Sequence, residues 1–330
     1  MKKWGILILS MLLLSLTGCG KTGELRLGTG GVGGTYYAFG NALAQQLGEE
    51  EALSLSVKTT AGSAANLRLL REGFVQLAIV QSDVLSDAVN GTGTFAQAGA
   101  YEGYAAVAGL YTEACQIVVP ADSDIQTVQD LAGRRVSVGE EESGVRKNAE
   151  EILLSHGLSL QMLQPSALSF AEAADALEQG EIDAFFCTAG APTNAVSELA
   201  GRRNVRLLSL SEDAVNNLLA LGNGYTACTV PALTYPGQTE EVRTVGVKAV
   251  LVADAGVSKD SVTAITRYLL EQGEQLRWAA KTTLSTEPEY AVQDIPCSFH
   301  EGSAAYYSSK GMTVEVAAGG SAGRISAAQD

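Results

Sequence analysis

One pattern occurs twice in this chain, and it limits the fold more than any composition does. GTGGVGGTYYAFGNALAQQL (28–47) and VGEEESGVRKNAEEILLSHGL (138–158) each read as the end of a strand, a polar glycine-containing loop and a helix. AGSAANLRLLREGFVQLAIVQSD (61–83) and LSFAEAADALEQGEIDAFFCTAG (168–190) each read as a helix, a glycine stop, a short apolar strand and a polar end. The agreement is in pattern, not in letters. Strands alternating with helices predict parallel sheets, so the repeat predicts two α/β lobes.

Within each copy the periods are plain. Phe39, Leu43 and Leu47 share one helical face, and Leu53, Leu55 and Val57 alternate with polar residues as in a strand. Ser63 is placed to cap a helix running to about Arg71, and Ser169 one running to about Leu177. Two further apolar runs, near 110–120 and 243–253, read as strands crossing between the lobes. The expected order is lobe I at 25–115 and 240–313, interrupted by lobe II at 116–239. Ser258 to Lys281 is amphipathic and reads as one helix. The Ala/Gly/Ser-rich stretch 314–330 reads as a flexible tail.

The N-terminus indicates a compartment. Lys2 and Lys3 precede an apolar run, Ile6 to Leu16, followed by Leu16-Thr17-Gly18-Cys19. A basic start, an apolar run too short for a comfortable membrane span and small residues before a cut site read as a secretory signal. LTGC resembles the bacterial lipobox, in which the cysteine is lipidated. The expectation is a signal peptide at 1–18, a lipid anchor at Cys19, a tether at 19–24 and an extracytoplasmic protein held at the bacterial cell membrane. In an oxidising compartment Cys115, Cys187, Cys228 and Cys297 are either free thiols or one of three disulfide connectivities, and sequence does not choose.

Gly28, Gly30 and Gly33 fit the dinucleotide spacing G-x-G-x-x-G, and Gly28 to Thr35 nearly fits a phosphate loop. Both nucleotide readings fail on context. Gly34 stands where a phosphate loop needs lysine, and the second strand ends Lys58-Thr59-Thr60 without the acid that would meet a ribose. What remains is a helix start whose first amides and dipole attract an anionic group, with glycines allowing close approach. A carboxylate meets that need as well as a phosphate does. With 22 basic and 37 acidic residues the chain carries −15, which disfavours nucleic acid. Two histidines, no G-x-S-x-G elbow and no Cys/His cluster predict no catalytic residues, no enzyme activity, no metal and no cofactor.

The ordered blocks also carry a resemblance. GTGGVGGTYYAFGNALA, TTAGSAANLRLLREG with LAIVQSD, IQTVQDLAGRRVSVGEEESGVRKNAEEIL, DAFFCTAGAPTNAV, VPALTYPGQTEEVRTVGVKAVLV and FHEGSAAYY resemble, in order, the TAXI family of TRAP-transporter solute receptors. The resemblance covers nearly all of the mature chain. It implies a periplasmic-binding-protein-like α/β fold (class II type): two lobes joined by two crossing strands, with a ligand cleft between them. It implies a receptor that delivers a small organic acid or amino acid, glutamate- or glutamine-like, to a TRAP-type membrane permease. An extracytoplasmic sensing lipoprotein partnering a membrane signalling protein is the alternative. A monomer is expected. Two departures stand out. The family's His-Pro-Gly-Ala is His300-Glu301-Gly302-Ser303 here, and three glutamates, Glu140 to Glu142, precede Ser143-Gly144. A negative loop beside an anionic ligand is unfavourable unless it points away, which leaves glutamine or another zwitterion open.

The expected ligand residues lie at the loop-to-helix junctions and strand ends. In the first lobe they are Gly33, Gly34, Thr35, Tyr36, Ser63, Asn66 and Gln81. In the second they are Ser143, Gly144, Val145, Thr188 and Gly190. Thr35 and Ser63 offer hydroxyls, Tyr36 a wall, and Gln81 a side chain at the carboxyl edge of a buried strand. Tyr37 is expected in the core. Arg146 and Lys147 are expected on a surface turn, and His300 is expected to hold its own loop.

Overall fold

The computed structural model describes residues 23–317. The expected signal peptide, the expected lipobox with Cys19, the first part of the expected tether and most of the expected tail lie outside the described residues. None of the described helices is long and apolar enough to cross a membrane.

The chain begins β1 (Leu25–Gly28), α1 (Thr35–Glu50), β2 (Leu55–Lys58), α2 (Ser63–Arg71), β3 (Leu77–Gln81), α3 (Ser82–Asn90) and then a long strand, β4 (Tyr104–Pro120). It continues β5 (Arg135–Ser137), α4 (Gly144–Ser155), β6 (Gln164–Ser166), α5 (Phe170–Gln179), β7 (Ala184–Ala189), α6 (Asn194–Arg202), β8 (Val205–Leu207), α7 (Glu212–Ala220) and β9 (Thr226–Val230). It returns through β10 (Val242–Asp254) to α8 (Lys259–Glu271), α9 (Gly273–Ala280), α10 (Pro288–Val292) and α11 (Glu301–Ser309).

The strands run in the order β2-β1-β3-β10-β4-β7-β5-β6, with β8 on β4 and β9 on β10. At one end β1 lies parallel between β2 and β3; at the other β5 lies parallel between β6 and β7. The doubled sequence pattern is thus a doubled strand–helix–strand–helix–strand unit, each with its first strand in the middle. Between the units β4 and β10 run antiparallel to their neighbours and to each other.

Packing follows the same division. Leu27, Phe39, Leu43, Ile79, Ile265 and Tyr307 are buried together, and β4 joins them through Ala106, Val107, Ala108, Leu110 and Tyr111 and β10 through Ala249, Leu251 and Ala253. Val136, Ile152, Leu153 and Phe186 form another core, which takes Cys115, Ile117 and Val119 of β4 and Val245 and Val247 of β10. Both crossing strands therefore pass from one core to the other, near residues 112–114 and 248.

Several local expectations are corrected. The crossing strands are longer than the apolar runs that marked them. Ser63 does not cap α2: Gly62 is the cap residue, and the Ser63 hydroxyl accepts the backbone N–H of Gln81 at 3.0 Å. The amphipathic stretch from Ser258 is two helices. It breaks at Gln272, and the second helix opens on Gly273, where a Cβ would meet the Thr286 methyl at 2.4 Å. The start of the expected loose tail is paired, because the N–H of Phe299 donates to the carbonyl of Glu315 and that of Ala317 to Phe299. All four cysteines of the described residues are free.

Candidate functional site

Each unit turns the carboxyl ends of its parallel strands toward the other, and a cavity of about 60 Å3, partly open to solvent, lies there. A water-sized group needs roughly 10–15 Å3 on this measure, so the cavity has room for about four to six such groups. All six parallel strands contribute. After β1 come Gly31, Gly34, Thr35 and Tyr36; after β2, Gly62 and Ser63; at the end of β3, Gln81. From the second unit come Glu140, Ser143, Gly144 and Val145 after β5, Phe170 after β6, and Thr188 in β7. Open α/β sheets hold ligands at this edge, where neighbouring connections leave in opposite directions.

Nine of the twelve residues expected from sequence line this cavity: Gly34, Thr35, Tyr36, Ser63, Gln81, Ser143, Gly144, Val145 and Thr188. Three do not. Asn66 is fully buried; its amide nitrogen donates to the carbonyls of Thr29 (2.6 Å) and Ile79 (2.8 Å) and its oxygen accepts from Thr60, so it stitches β1 to β3. The carbonyl of Gly33 accepts the N–H of Ala195, and that of Gly190 accepts the hydroxyl of Thr35 at 3.2 Å. Both glycines join the two units at the rim.

The helix starts are not equivalent. No side chain caps α1, whose first turn holds Thr35 and Tyr36. Ser143 caps α4 by accepting from Arg146. At α2 the N–H groups of Ala64 and Ala65 donate to the carbonyl of Glu142, both at 3.1 Å, so the opposite unit already occupies that helix start. Gly144 matters through closeness. A Cβ there would lie 1.8 Å from Oε1 of Gln81, so the Gln81 amide reaches across the cleft only because this position is glycine.

The three glutamates have three fates. Glu140 is half-buried in the cavity wall, Glu141 pairs with Arg146 at 2.9 Å, and Glu142 pairs with Arg68 of α2. Burial, and then the charge of Glu172, raise the Glu140 carboxyl above its usual range. Tyr37 is only half-buried, because Phe39, Leu43 and Leu47 define the inner face of α1 and residue 37 falls off it. Lys147 is not on a surface turn. Its side chain is 10% exposed and sits among Asp83, Asp87 and Glu151. The amide of Asn148 donates beside it to Asp83 and to the Tyr225 hydroxyl. Burial holds Asp83 up at about 6, against the pull of Lys147. His300 caps α11, accepting the N–H of Gly302 at Nδ1.

Sequence reasoning missed Glu113. It is 2% exposed and lines the cavity from β4, at the point where that strand leaves one core for the other. The signal was available: Glu113 is the single charged residue in the seventeen of β4, YAAVAGLYTEACQIVVP. Burial pushes its carboxyl up to about 8, although Tyr36 and Gln81 beside it pull the other way.

Residues 27–311 match the NMT1-like family. The chain belongs to that family. Among solved structures, this NMT1-like chain resembles a protein from Bordetella bronchiseptica RB50 at 15% identity, over 88% of this chain and 98% of that one, with a TM-score of 0.57. It overlaps more loosely with the periplasmic aliphatic sulphonate binding protein SsuA from Escherichia coli, at 19% identity over 78% and 77% of the two chains and a TM-score of 0.46. The GluR0 ligand-binding core in complex with L-glutamate gives 10% identity, 80% and 99% coverage and a TM-score of 0.49. At such identities likeness is one of fold. The fold of this NMT1-like chain is α/β and periplasmic-binding-protein-like: two units, two crossing strands and a cleft between them.

Proposed function

We propose that the chain is an extracytoplasmic solute-binding receptor, without enzymatic activity, that closes on a small organic acid or amino acid and presents it to a membrane permease. The observation that supports this best is the cavity. Six strand ends, an uncapped helix start and several hydroxyls converge on one cleft of the size of a small metabolite. The lobes are taken as 25–115 with 240–313, and 116–239. Gly34, Thr35, Tyr36, Ser63, Gln81, Ser143, Gly144, Val145 and Thr188 touch the solute; Gly33, Asn66 and Gly190 shape the walls that hold it. The six-block sequence resemblance favours a TRAP-type permease of the TAXI kind as the partner, with anchoring through a lipid on Cys19.

The test is thermal unfolding of the purified chain, after unfolding and refolding to strip carried ligand, against amino acids, hydroxy acids, dicarboxylates, ATP and NAD. A solute at 100 times its Kd adds about 2.7 kcal/mol of stability. A rise with one acid or amino acid, lost in Thr35→Ala or Gln81→Ala, is the expected result. A rise with ATP or NAD alone overturns it.

A further inference from the structure

We propose that Glu113 accepts a protonated nitrogen of the bound solute, so that the cavity takes small zwitterions or monocations and discriminates against hydroxy acids and dicarboxylates. This rests on the receptor function proposed above and narrows it.

The charge inventory comes first. The cavity is lined by two carboxyl groups, Glu113 and Glu140, and by no lysine, arginine or histidine. A buried carboxylate needs a partner, and a cation is the partner that best offsets its loss of water. The groups facing Glu113 do not supply one. They are Tyr36 from α1, Gln81 from β3, Asp83 from α3, Tyr111 and Cys115 on its own strand, Cys187 from β7 and Tyr290 from α10. Each is neutral or acidic.

The polar atoms around it fit the same ligand. The hydroxyl of Tyr36 and Oε1 of Gln81 are buried at the cavity, beside Glu113, and neither is hydrogen-bonded to another group of the described residues. With the carboxylate they make three acceptors, and an ammonium carries three donors. Tyr36 and Phe170 also line the cavity, and aromatic rings are compatible with a cation beside them. A carboxylate of the same molecule has the uncapped start of α1. A second carboxylate has no cation to meet.

A proton accounts for the exchange. Without a cation beside it, Glu113 is held largely protonated at neutral pH, since burial keeps its carboxyl up at about 8. An incoming ammonium favours the carboxylate, so the O–H proton leaves to solvent and an N–H···O bond takes its place. Binding at pH 7 therefore releases close to one proton, and affinity rises with pH until about 8.

The experiment pairs solutes that differ in one group, alanine with lactate and pyruvate, serine with glycerate and glutamine with 2-oxoglutaramate, and adds succinate and 2-oxoglutarate as dicarboxylates. Each is titrated calorimetrically into wild type and Glu113→Gln, at pH 7 in two buffers of different ionisation enthalpy. The expected result is an amino acid that binds at least tenfold tighter than its deaminated partner, releases a proton, and loses at least tenfold in Glu113→Gln. Equal or tighter binding of a hydroxy or dicarboxylic acid, without proton release, overturns the proposal and leaves the receptor intact; Glu113 would then be a protonated donor to an anion. Silence across the whole panel in wild type overturns both. If Glu113→Gln does not fold, the wild-type ranking and its proton release decide alone.

Discussion

The guanidinium of Arg68 meets the carboxylate of Glu142 in two parallel hydrogen bonds, each 3.0 Å long, across the cleft. The same Glu142 holds φ +58 and gives its carbonyl to the start of α2. One residue of the second unit thus grips the first by both backbone and side chain. Both side chains are about two-fifths exposed, which limits the worth of the pair to about 1 kcal/mol. Glu142→Ala is expected to leave the unfolding temperature nearly unchanged while speeding solute dissociation up to about fivefold. Added salt should reproduce part of that acceleration in wild type and little of it in the variant. Stopped-flow release measured against ionic strength checks this.

Lys147 is a different kind of tie. It is buried among three carboxylates, two from α3 of the first unit. Removing a buried partner leaves uncompensated charge, at a cost of about 3–5 kcal/mol. Lys147→Met is expected to lower stability by that order, and Asp83→Asn in the same chain to restore part of it. Denaturant unfolding of the two single variants and the double closes the cycle.

Gly144→Ala separates stability from binding. The new methyl collides with Oε1 of Gln81, the free end of a flexible side chain, which can swing away. Alanine in the first turn of a helix is favoured over glycine by roughly 0.5–1 kcal/mol. The unfolding temperature is therefore expected to hold or rise, while solute affinity falls tenfold or more. A melt and a titration on the same preparation suffice.

His300 gives the acid side of the stability curve. Burial lowers its pKa, with Glu301 opposing, and the helix cap uses its unprotonated Nδ1. The unfolded chain binds the proton more readily, so stability is full above the ordinary imidazole range and is lost as pH falls through it. His156, also lowered by burial, adds to the slope. Glu113 and Asp83, held up by burial, gain stability as pH falls over the same range, so the test is a difference: between pH 8 and 5 the unfolding temperature of wild type should fall relative to that of His300→Asn, which keeps a capping oxygen.

Much of this molecule is local and was legible. Phe39, Leu43 and Leu47 announce α1 because a helix needs nothing beyond its own period to choose an inner face. Ser169 and Glu172 announce α5 because a capping box closes on itself. The cavity loops were legible for a similar reason, since glycines and hydroxyls cluster where a strand ends and a helix begins. Glu113 and Lys147 were not. Lys147 and Glu151 are four apart on a helix, the usual spacing of a solvent-facing pair. Only the arrival of Asp83 and Asp87, from much earlier in the chain, buries them. Glu113 stood in an apolar strand, and its meaning depended on which stretch of that strand spans the gap between cores.

The two crossing strands also bear on how the chain is put together. β3 finds its second neighbour only in β10, so the ladder of the first unit stays incomplete until residues 242–254 have been made. β5, β6 and β7 find their neighbours among themselves and in β4, all within chain already synthesised. The three parallel strands of the inserted unit can pair completely while β3, in the unit that began first, is still waiting with an open edge.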